Sequence, residues 1–334
     1  MSEPGTWHGV LGGVAMNAGD YADFLGAEYL SGYLPAGGGS VKLAVAGEHE
    51  VTERFARSLA EAASEHGLVL ASVSAETTKV HLVDQLFFAI SRQVDWQQVG
   101  AAVVRSAYRA ITVPATGGLS VAEVAADYDL DAAELYRSVR RQLEHTLLAD
   151  PVLPREMRRA VLRLAQAHLG SGDLRPGEVR VVLDWLQGGR VGARELRAEM
   201  IYARIGRHNA RSMLLALGHL LLRAGYGGLV VHLDLTRLAE GRRPVLAERT
   251  GTYYSKAAVL DAYEVLRQLI DATDQLSGVL VVAMLAPELV TDDVRGLPAY
   301  DALRLRVADE VRDRRRPNPF AALVRLEARL EVVS

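Results

Sequence analysis

Short apolar runs alternate with helical periodicities in two parts of the chain. Runs with the length of buried strands occur at residues 41–47 and 68–75, and again at Leu229–Leu235 and Val279–Leu285. A last run, at residues 321–333, predicts a fifth strand. Near-continuous apolar strands that alternate with helices are typical of a mostly parallel sheet with helices on both faces. The pattern therefore predicts an α/β fold.

Two of the predicted helices carry one apolar stripe each. The first ends at Gly67, and the second runs from Lys256 to about Thr273. Their stripes consist of Phe55, Leu59 and Ala62 in the first helix and of Val259, Tyr263, Leu266 and Ile270 in the second.

The long stretch between the second and third predicted strands is helical throughout, with breaks at "PATGG", "DPVLP", "GSGD" and "QGG". It predicts an all-helical insert. The glycines of "AGGGS" release the chain into the first strand, so we expect the core to begin near Val41. The expected organisation is an N-terminal arm at 1–40, the first half of the α/β core at 41–110, the insert at 111–225 and the second half of the core at 226–334.

Composition excludes several kinds of site. The 38 basic and 41 acidic residues give no strong net field, so any nucleic-acid contact must be local. The absence of cysteine excludes disulfides and thiolate ligands, and the nine histidines show no metal-ligand spacing, so we expect no metal site. The longest apolar stretch, Gly278 to Pro287, is too short to span a bilayer, and no export signal opens the sequence. We expect a cytoplasmic protein without membrane contact.

The stretch after the first strand departs from the phosphate-binding loop of an ATPase with this layout. That loop reads G-x-x-x-x-G-K-[ST], and its amides and lysine hold the phosphates. Here "GEHEVTER" retains Gly47 but has Thr52, Glu53 and Arg54 at the positions of the second glycine, the lysine and the hydroxyl. We therefore expect weak binding of ATP with magnesium, or none.

Three carboxylates strengthen this expectation. Glu48, Glu50 and Glu53 lie where an anion would bind. A pair of like charges about 5 Å apart repels by about 3 kcal/mol at an effective dielectric near 20. An ordinary strand-to-helix turn is the interpretation that this stretch favours.

The third strand, in "GLVVHLDLTRL", shows a second departure. Asp234 could hold a magnesium ion, but Leu235 and Thr236 follow where a carboxylate would polarise the attacking water. Hydrolysis therefore lacks its base, and we expect no catalytic residue.

The order and wording of several motifs resemble one known family. "LLRAGYGGLVVHLDLTRL", "YEVLRQLIDATD", "GLPAYDALRLRV" and "DRRRPNPFAALVRL", together with "WLQGG" and "RHNARSMLLAL", are similar to the ATP-binding proteins of bacteriophage-exclusion (BREX) and related bacterial defence systems. That family resembles the AAA+ P-loop ATPases of the origin-recognition branch. The resemblance covers most of the chain from Val41 onward and is densest from Trp185 to the end.

The resemblance implies an AAA+-like five-stranded core, a phosphate loop after the first strand and an Asp-Glu pair at the end of the third. A third departure from it is "AMLAPEL", where Leu285 and Ala286 replace an expected polar nucleotide-sensing residue. Three departures favour a degenerate ATPase-like protein that is not an enzyme and acts as a regulatory or scaffolding subunit beside an intact ATPase relative. The alternatives are a divergent but working ATPase and a DNA-binding module.

Two basic stretches are candidate contact sites. Residues 119–143 have the pattern of a helix-turn-helix with Arg137, Arg140 and Arg141 late in its second helix, although two packed helices explain the pattern better. "LRLRVADEVRDRRRP" is the denser stretch, and we expect it to contact phosphate, including non-specific nucleic acid, or a neighbouring subunit's nucleotide. Its arginines are Arg304, Arg306, Arg312, Arg314, Arg315 and Arg316.

Overall fold

The computed structural model describes residues 15–115, 117–170, 176–241, 250–308 and 318–328. The chain forms two compact units. The α/β unit comprises the residues up to Leu86 and those from Gly227 onward, and the helical unit comprises Phe87–Tyr226. The helical unit thus begins before the boundary expected at residue 110.

The α/β unit is built on a six-stranded sheet in which every described pairing is parallel. The predicted α/β class is confirmed, with one more strand than the five expected, because a two-residue strand pairs with the last one at the edge. The strands are β1 Met16–Asn17, β2 Gly39–Ala46, β3 Val69–Ser74, β4 Leu229–Asp234, β5 Val279–Leu285 and β6 Leu323–Glu327. Their order across the sheet is β1-β6-β2-β5-β4-β3.

Helices account for most of the remaining described chain. They are α1 Ala18–Leu25, α2 His49–Glu65, α3 Val83–Ser91, α4 Trp96–Ala110, α5 Val121–Asp127, α6 Ala132–Leu148, α7 Arg155–His168, α8 Pro176–Gln187, α9 Ala193–Ala198, α10 Ala210–Arg223, α11 Lys256–Asp271, α12 Glu288–Thr291 and α13 Asp301–Val307. A π-helical turn at Gly26–Leu30 extends α1, and 3₁₀ turns lie at Thr236–Ala239, Thr273–Gln275 and Leu297–Ala299. No helix in the described part of the chain is long and apolar enough to cross a membrane.

The core of the α/β unit begins earlier than Val41, where we expected it. Tyr21 and Leu25 of α1 and Leu34 after it are fully buried, in one cluster with Phe55 of α2. The described residues of the expected arm, from 15 on, therefore cover one face of the sheet, because α1 presents an apolar stripe of its own. Helix α11 contacts β2, and its buried side chains lie outside that cluster.

Close packing explains the last glycine of "AGGGS". A Cβ atom at Gly39 would lie 2.1 Å from the carbonyl oxygen of Leu276, which no side chain permits. Gly39 is thus required for packing at the start of β2 and does not act as a free hinge.

Helix N-caps and helix–helix packing stabilise the helical unit. The side chains of Asp95, Ser120 and Asp131 accept hydrogen bonds from amides of the first turns of α4, α5 and α6. Helix α4 packs against α7 and α6, and α7 packs against α8. The predicted helical character of this region is confirmed for its described residues.

Candidate functional site

The strand order makes a crevice at the carboxyl end of β2. The chain leaves β2 for β3 at the far edge, returns through β4 and β5, and then passes to β6 on the other side of β2. Ligands of open parallel sheets bind outside the carboxyl ends of the strands, where the strand order changes direction in this way. A cavity of about 400 Å³ lies there, lined by Val45, Gly47, Glu48, Val51, Pro287, Arg325, Leu326 and Glu327.

The connection between β2 and α2 is much shorter than a phosphate loop. β2 ends at Ala46 and α2 begins at His49, so only Gly47 and Glu48 lie between them. A Cβ atom at Gly47 would meet Pro287 at an ordinary 3.6 Å, so packing does not demand a glycine there. Glu48 occupies the N-cap position without a side-chain cap bond. The geometry is that of a tight strand-to-helix turn, which is the interpretation that the sequence favoured.

The three residues aligned with the motif's glycine, lysine and hydroxyl lie inside α2. Thr52 is buried, and its hydroxyl donates to the Glu48 carbonyl over 3.4 Å. Glu53 pairs with His49 over 3.1 Å, and Arg54 pairs with Glu50 over 3.0 Å. All three are therefore helical side chains, and none lines the cavity.

The charged lining of the cavity comes from two elements. Glu48 contributes a carboxylate from the start of α2, and β6 contributes Arg325 and Glu327. Arg325 pairs in register with Val45, while Val324 and Leu326 on either side of it are buried in the core. The alternation of the strand thus exposes the arginine side chain.

Asp234 lies at the same edge of the sheet, on β4. One strand, β5, separates β4 from β2, which corresponds to about 10 Å. One carboxylate oxygen of Asp234 accepts hydrogen bonds from the Thr236 amide over 3.0 Å and from its hydroxyl over 2.7 Å. Leu235, at the position of the catalytic carboxylate, is buried, and its amide donates to the Met284 carbonyl over 2.9 Å. Leu235 therefore belongs to the core.

The end of β5 carries no polar side chain toward the crevice. Leu285 is fully buried, and Pro287, two residues on, lines the cavity. His232 on β4 is also a core residue, with its ring 6.2 Å from that of Phe55. Burial lowers the pKa of His232 and outweighs the opposite effect of Asp234, so the imidazole is neutral near pH 7.

A buried arginine that the sequence pattern did not predict contacts both ends of the segment after β4. The Arg295 guanidinium donates to the carbonyls of Leu238, over 3.2 Å, and Tyr254, over 2.9 Å. The Tyr254 hydroxyl in turn donates to the Ala75 carbonyl over 2.9 Å. Arg295 thus joins the two ends of the segment between β4 and α11. The sequence signal was weak, because one arginine in "TDDVRGLP" looks like a surface residue.

Two arginines of the basic stretch are described, and both form ion pairs within the chain. Arg304 pairs with Asp301 over 2.8 Å, and Arg306 pairs with Asp271 of α11. The Arg306 guanidinium lowers the pKa of Asp271. Nearby, hydrogen bonds from Arg267 lower the pKa of Glu264 to about 2. Arg312, Arg314, Arg315 and Arg316 lie outside the described residues.

The expected helix-turn-helix region forms two helices, α5 and α6, with a four-residue turn that contains Asp129 at a φ of 51°. Arg137 and Arg141 are exposed, and Arg140 pairs with Glu144 over 2.9 Å. DNA readers of this type contact bases with the start of the second helix. Here that end carries four exposed carboxylates, which repel a phosphate backbone. They are Asp127, Asp129, Asp131 and Glu134.

Charge is unevenly distributed between the two units. The helical unit has 19 arginines, no lysine and 14 acidic residues, whereas the whole chain is slightly acidic. Its net positive charge is compatible with non-specific nucleic-acid contact, which stays a prediction. Among the described residues, no group of three or more histidine and acidic side chains could hold a metal ion.

Comparison with known families identifies the chain. The model of the family "BREX system ATP-binding protein BrxC/D" matches residues 36–331. No curated protein and no solved structure matches. Because the match spans most of the chain, the protein belongs to this family, and the resemblance drawn from its motifs is confirmed.

Family membership corrects one expectation. We expected a protein that is not an enzyme, because Glu53 and Leu235 stand in place of the lysine and the catalytic carboxylate. That expectation is wrong, since the family is one of ATP-binding proteins of a defence system, which points to an ATPase. The loss of motif side chains does not by itself establish the loss of the activity.

Proposed function

We propose that this member of the BREX ATP-binding family binds ATP in the cavity at the carboxyl ends of β2 and β6 and acts as a divergent ATPase. The observation that carries the proposal is the position of that cavity, where the strand order reverses beside β2. Its volume, about 400 Å³, lies in the usual range of small-molecule sites.

The residues of the cavity suit parts of a nucleotide. Pro287 offers partly exposed apolar surface, Val45, Val51 and Leu326 are nearly buried lining residues, and α2 begins beside the cavity at Glu48. Magnesium carried by the nucleotide would offset the Glu48 carboxylate and shield the phosphates. Asp234 is the carboxylate at the end of β4 that would hold this ion.

Hydrolysis also needs a group that orients water. Leu235 is buried and apolar, so this role falls to a carboxylate of the cavity. Glu48 and Glu327 are the two that line it. The reaction would then use the same fold with its base on a different element, at the start of α2 or on β6.

Calorimetry and phosphate release test this proposal directly. Purified protein with magnesium should bind ATP and release phosphate above background. Asp234→Ala should abolish most of the turnover, whereas Asp261→Ala, a matched change of an exposed aspartate on α11, should not. Absence of ATP binding by the unaltered protein would refute the proposal.

We further propose that the protein works beside an intact ATPase relative as a regulatory subunit. The observation that favours this is Leu305, which is 69% exposed between Arg304 and Arg306 on α13. Arginine is enriched in protein interfaces relative to the rest of the surface. The surface formed by these three residues would contact the relative.

Co-purification and turnover of the pair test the partnership. The relative from the same genome should bind this protein and hydrolyse ATP faster with it. Leu305→Asp should remove both effects, and Arg57→Ala, an exposed arginine on α2, should preserve them. Unchanged association after Leu305→Asp would exclude this surface.

A further inference from the structure

The proposed ATP site lacks a cation on its loop. Glu53 occupies the lysine position, and it lies on the exposed side of α2 with its carboxylate 3.1 Å from His49. Arg54 also lies in α2, where it pairs with Glu50. A triphosphate carries several negative charges, and the turn formed by Gly47 and Glu48 adds another. Apart from magnesium carried by the nucleotide, a compensating positive charge must therefore come from another element of the chain.

β6 supplies a cation in the right place. Among the residues that line the cavity, Arg325 is the one basic side chain. It stands beside Val45, two residues before Gly47, on the strand next to β2. Adjacent parallel strands lie about 4.8 Å apart, so a long side chain on β6 spans the distance to the turn after β2.

The backbone of β6 fixes this orientation. Val324 and Leu326 are 5% and 3% exposed and belong to the core that α1 and α2 cover. Side chains alternate along a strand, so Arg325 must point away from that core. A shift of the strand by one residue would bury the arginine and expose two apolar side chains, which sets the register firmly.

From this arrangement we propose that Arg325 binds the phosphates of the nucleotide in place of the motif lysine. A guanidinium stays charged at any physiological pH and can donate two parallel hydrogen bonds to phosphate oxygens. Together with Glu48 and Glu327 it lines the cavity, so the charged lining is not wholly negative. The assignment rests on the proposed ATP site and adds the residue that reads the phosphates.

Affinities for ATP, ADP and adenosine test the assignment, measured by calorimetry with magnesium. Arg325→Ala should weaken ATP binding on the order of ten- to a hundredfold, because a charge-assisted bond is lost. Adenosine, which has no phosphate, should bind equally to both forms. Arg325→Lys should recover part of the loss, since the charge remains without the planar fork.

A matched control and a melting curve exclude indirect effects. Arg57→Ala removes an exposed arginine from α2 outside the cavity lining and should leave ATP affinity unchanged. Because Arg325 is exposed, its variants should melt within a few degrees of the unaltered protein.

The outcomes separate two kinds of failure. Equal ATP affinity of the unaltered protein and Arg325→Ala would overturn the role of Arg325 and spare the ATP site. An equal loss of adenosine binding would also overturn it, because the arginine would then shape the cavity and not read phosphate. No ATP binding by the unaltered protein would refute the site itself.

Discussion

The ends of β2 and β4 lie at the same edge of the sheet, and both depart from the ATPase motifs, but they differ in structure. After β2 the chain makes a two-residue turn whose surroundings are charged and open to the cavity. After β4 the chain enters a 3₁₀ turn whose first residue, Thr236, donates hydrogen bonds to the Asp234 carboxylate. A buried arginine, Arg295, then joins the two ends of the segment that follows.

This difference separates two kinds of departure from a motif. At β4 the change from a carboxylate to Leu235 extends the apolar core by one residue and leaves Asp234 in place. At β2 the shortened turn removes the loop itself, so no single side chain could restore a phosphate cradle. The β4 end thus keeps Asp234 at the strand end with one motif side chain altered, while the β2 end has a different local structure.

The largest effect, on the free energy of unfolding, is expected for the segment after β4. Arg295→Ala would leave the carbonyls of Leu238 and Tyr254 buried without their donors. We expect a loss of about 2–4 kcal/mol in the free energy of unfolding, measured by urea denaturation. Arg57→Ala, on exposed α2 surface, should change it by less than about 0.5 kcal/mol.

A small effect of Arg295→Ala would remove the contrast between the two ends. It would mean that water replaces the guanidinium and that the segment after β4 is held by other contacts. Arg295→Lys sharpens the test, because a lysine can reach one carbonyl but not both in the same geometry.

The apolar pattern was sufficient to predict the sheet. Each predicted strand from Val41 onward overlaps an observed one, and the clearest signals come from β2, β4 and β5, which are buried on both faces and read as continuous apolar runs. The edge strand β1 has only two residues, too few for a periodic signal. Helix α1 was missed because the glycines before Gly39 suggested an unpacked arm, whereas Gly39 is required by contact with Leu276.

The site was predictable only where it lies within a motif. Gly47 and Asp234 stand at the strand ends where the motif placed them. Arg325 and Glu327 line the same cavity from a strand that is far away in sequence, and only the strand order brings them to β2. Spacing along the chain carries no information on such a neighbour.

A smaller effect is expected at the β2 end from Glu48→Gln. Removing one carboxylate from the cavity should raise ATP affinity about fivefold, since unit charges about 4 Å apart in water interact by about 1 kcal/mol. The same change should cost about 0.3–1 kcal/mol of unfolding free energy, because a negative charge at the start of α2 favours the helix. Calorimetry and urea denaturation measure the two effects. Unchanged ATP affinity would show that Glu48 does not face the nucleotide.

The smallest effect, on ATP affinity, is expected from Glu53→Lys, although this change places a lysine at the position of the motif lysine. Glu53 lies five residues beyond Glu48, so α2 carries it about 7.5 Å along the helix axis, near the screening length at physiological salt. Its carboxylate is bonded to His49 on an exposed surface, with 60% of the Glu53 side chain accessible. We therefore expect ATP affinity to rise by no more than about twofold. Glu61→Lys is the matched control, since it makes the same charge change further along the exposed side of α2, and it should have the same small effect. A tenfold rise specific to Glu53→Lys in a calorimetric titration would show that the turn opens into a phosphate loop when ATP binds, and the two ends of the sheet would then differ only in their side chains.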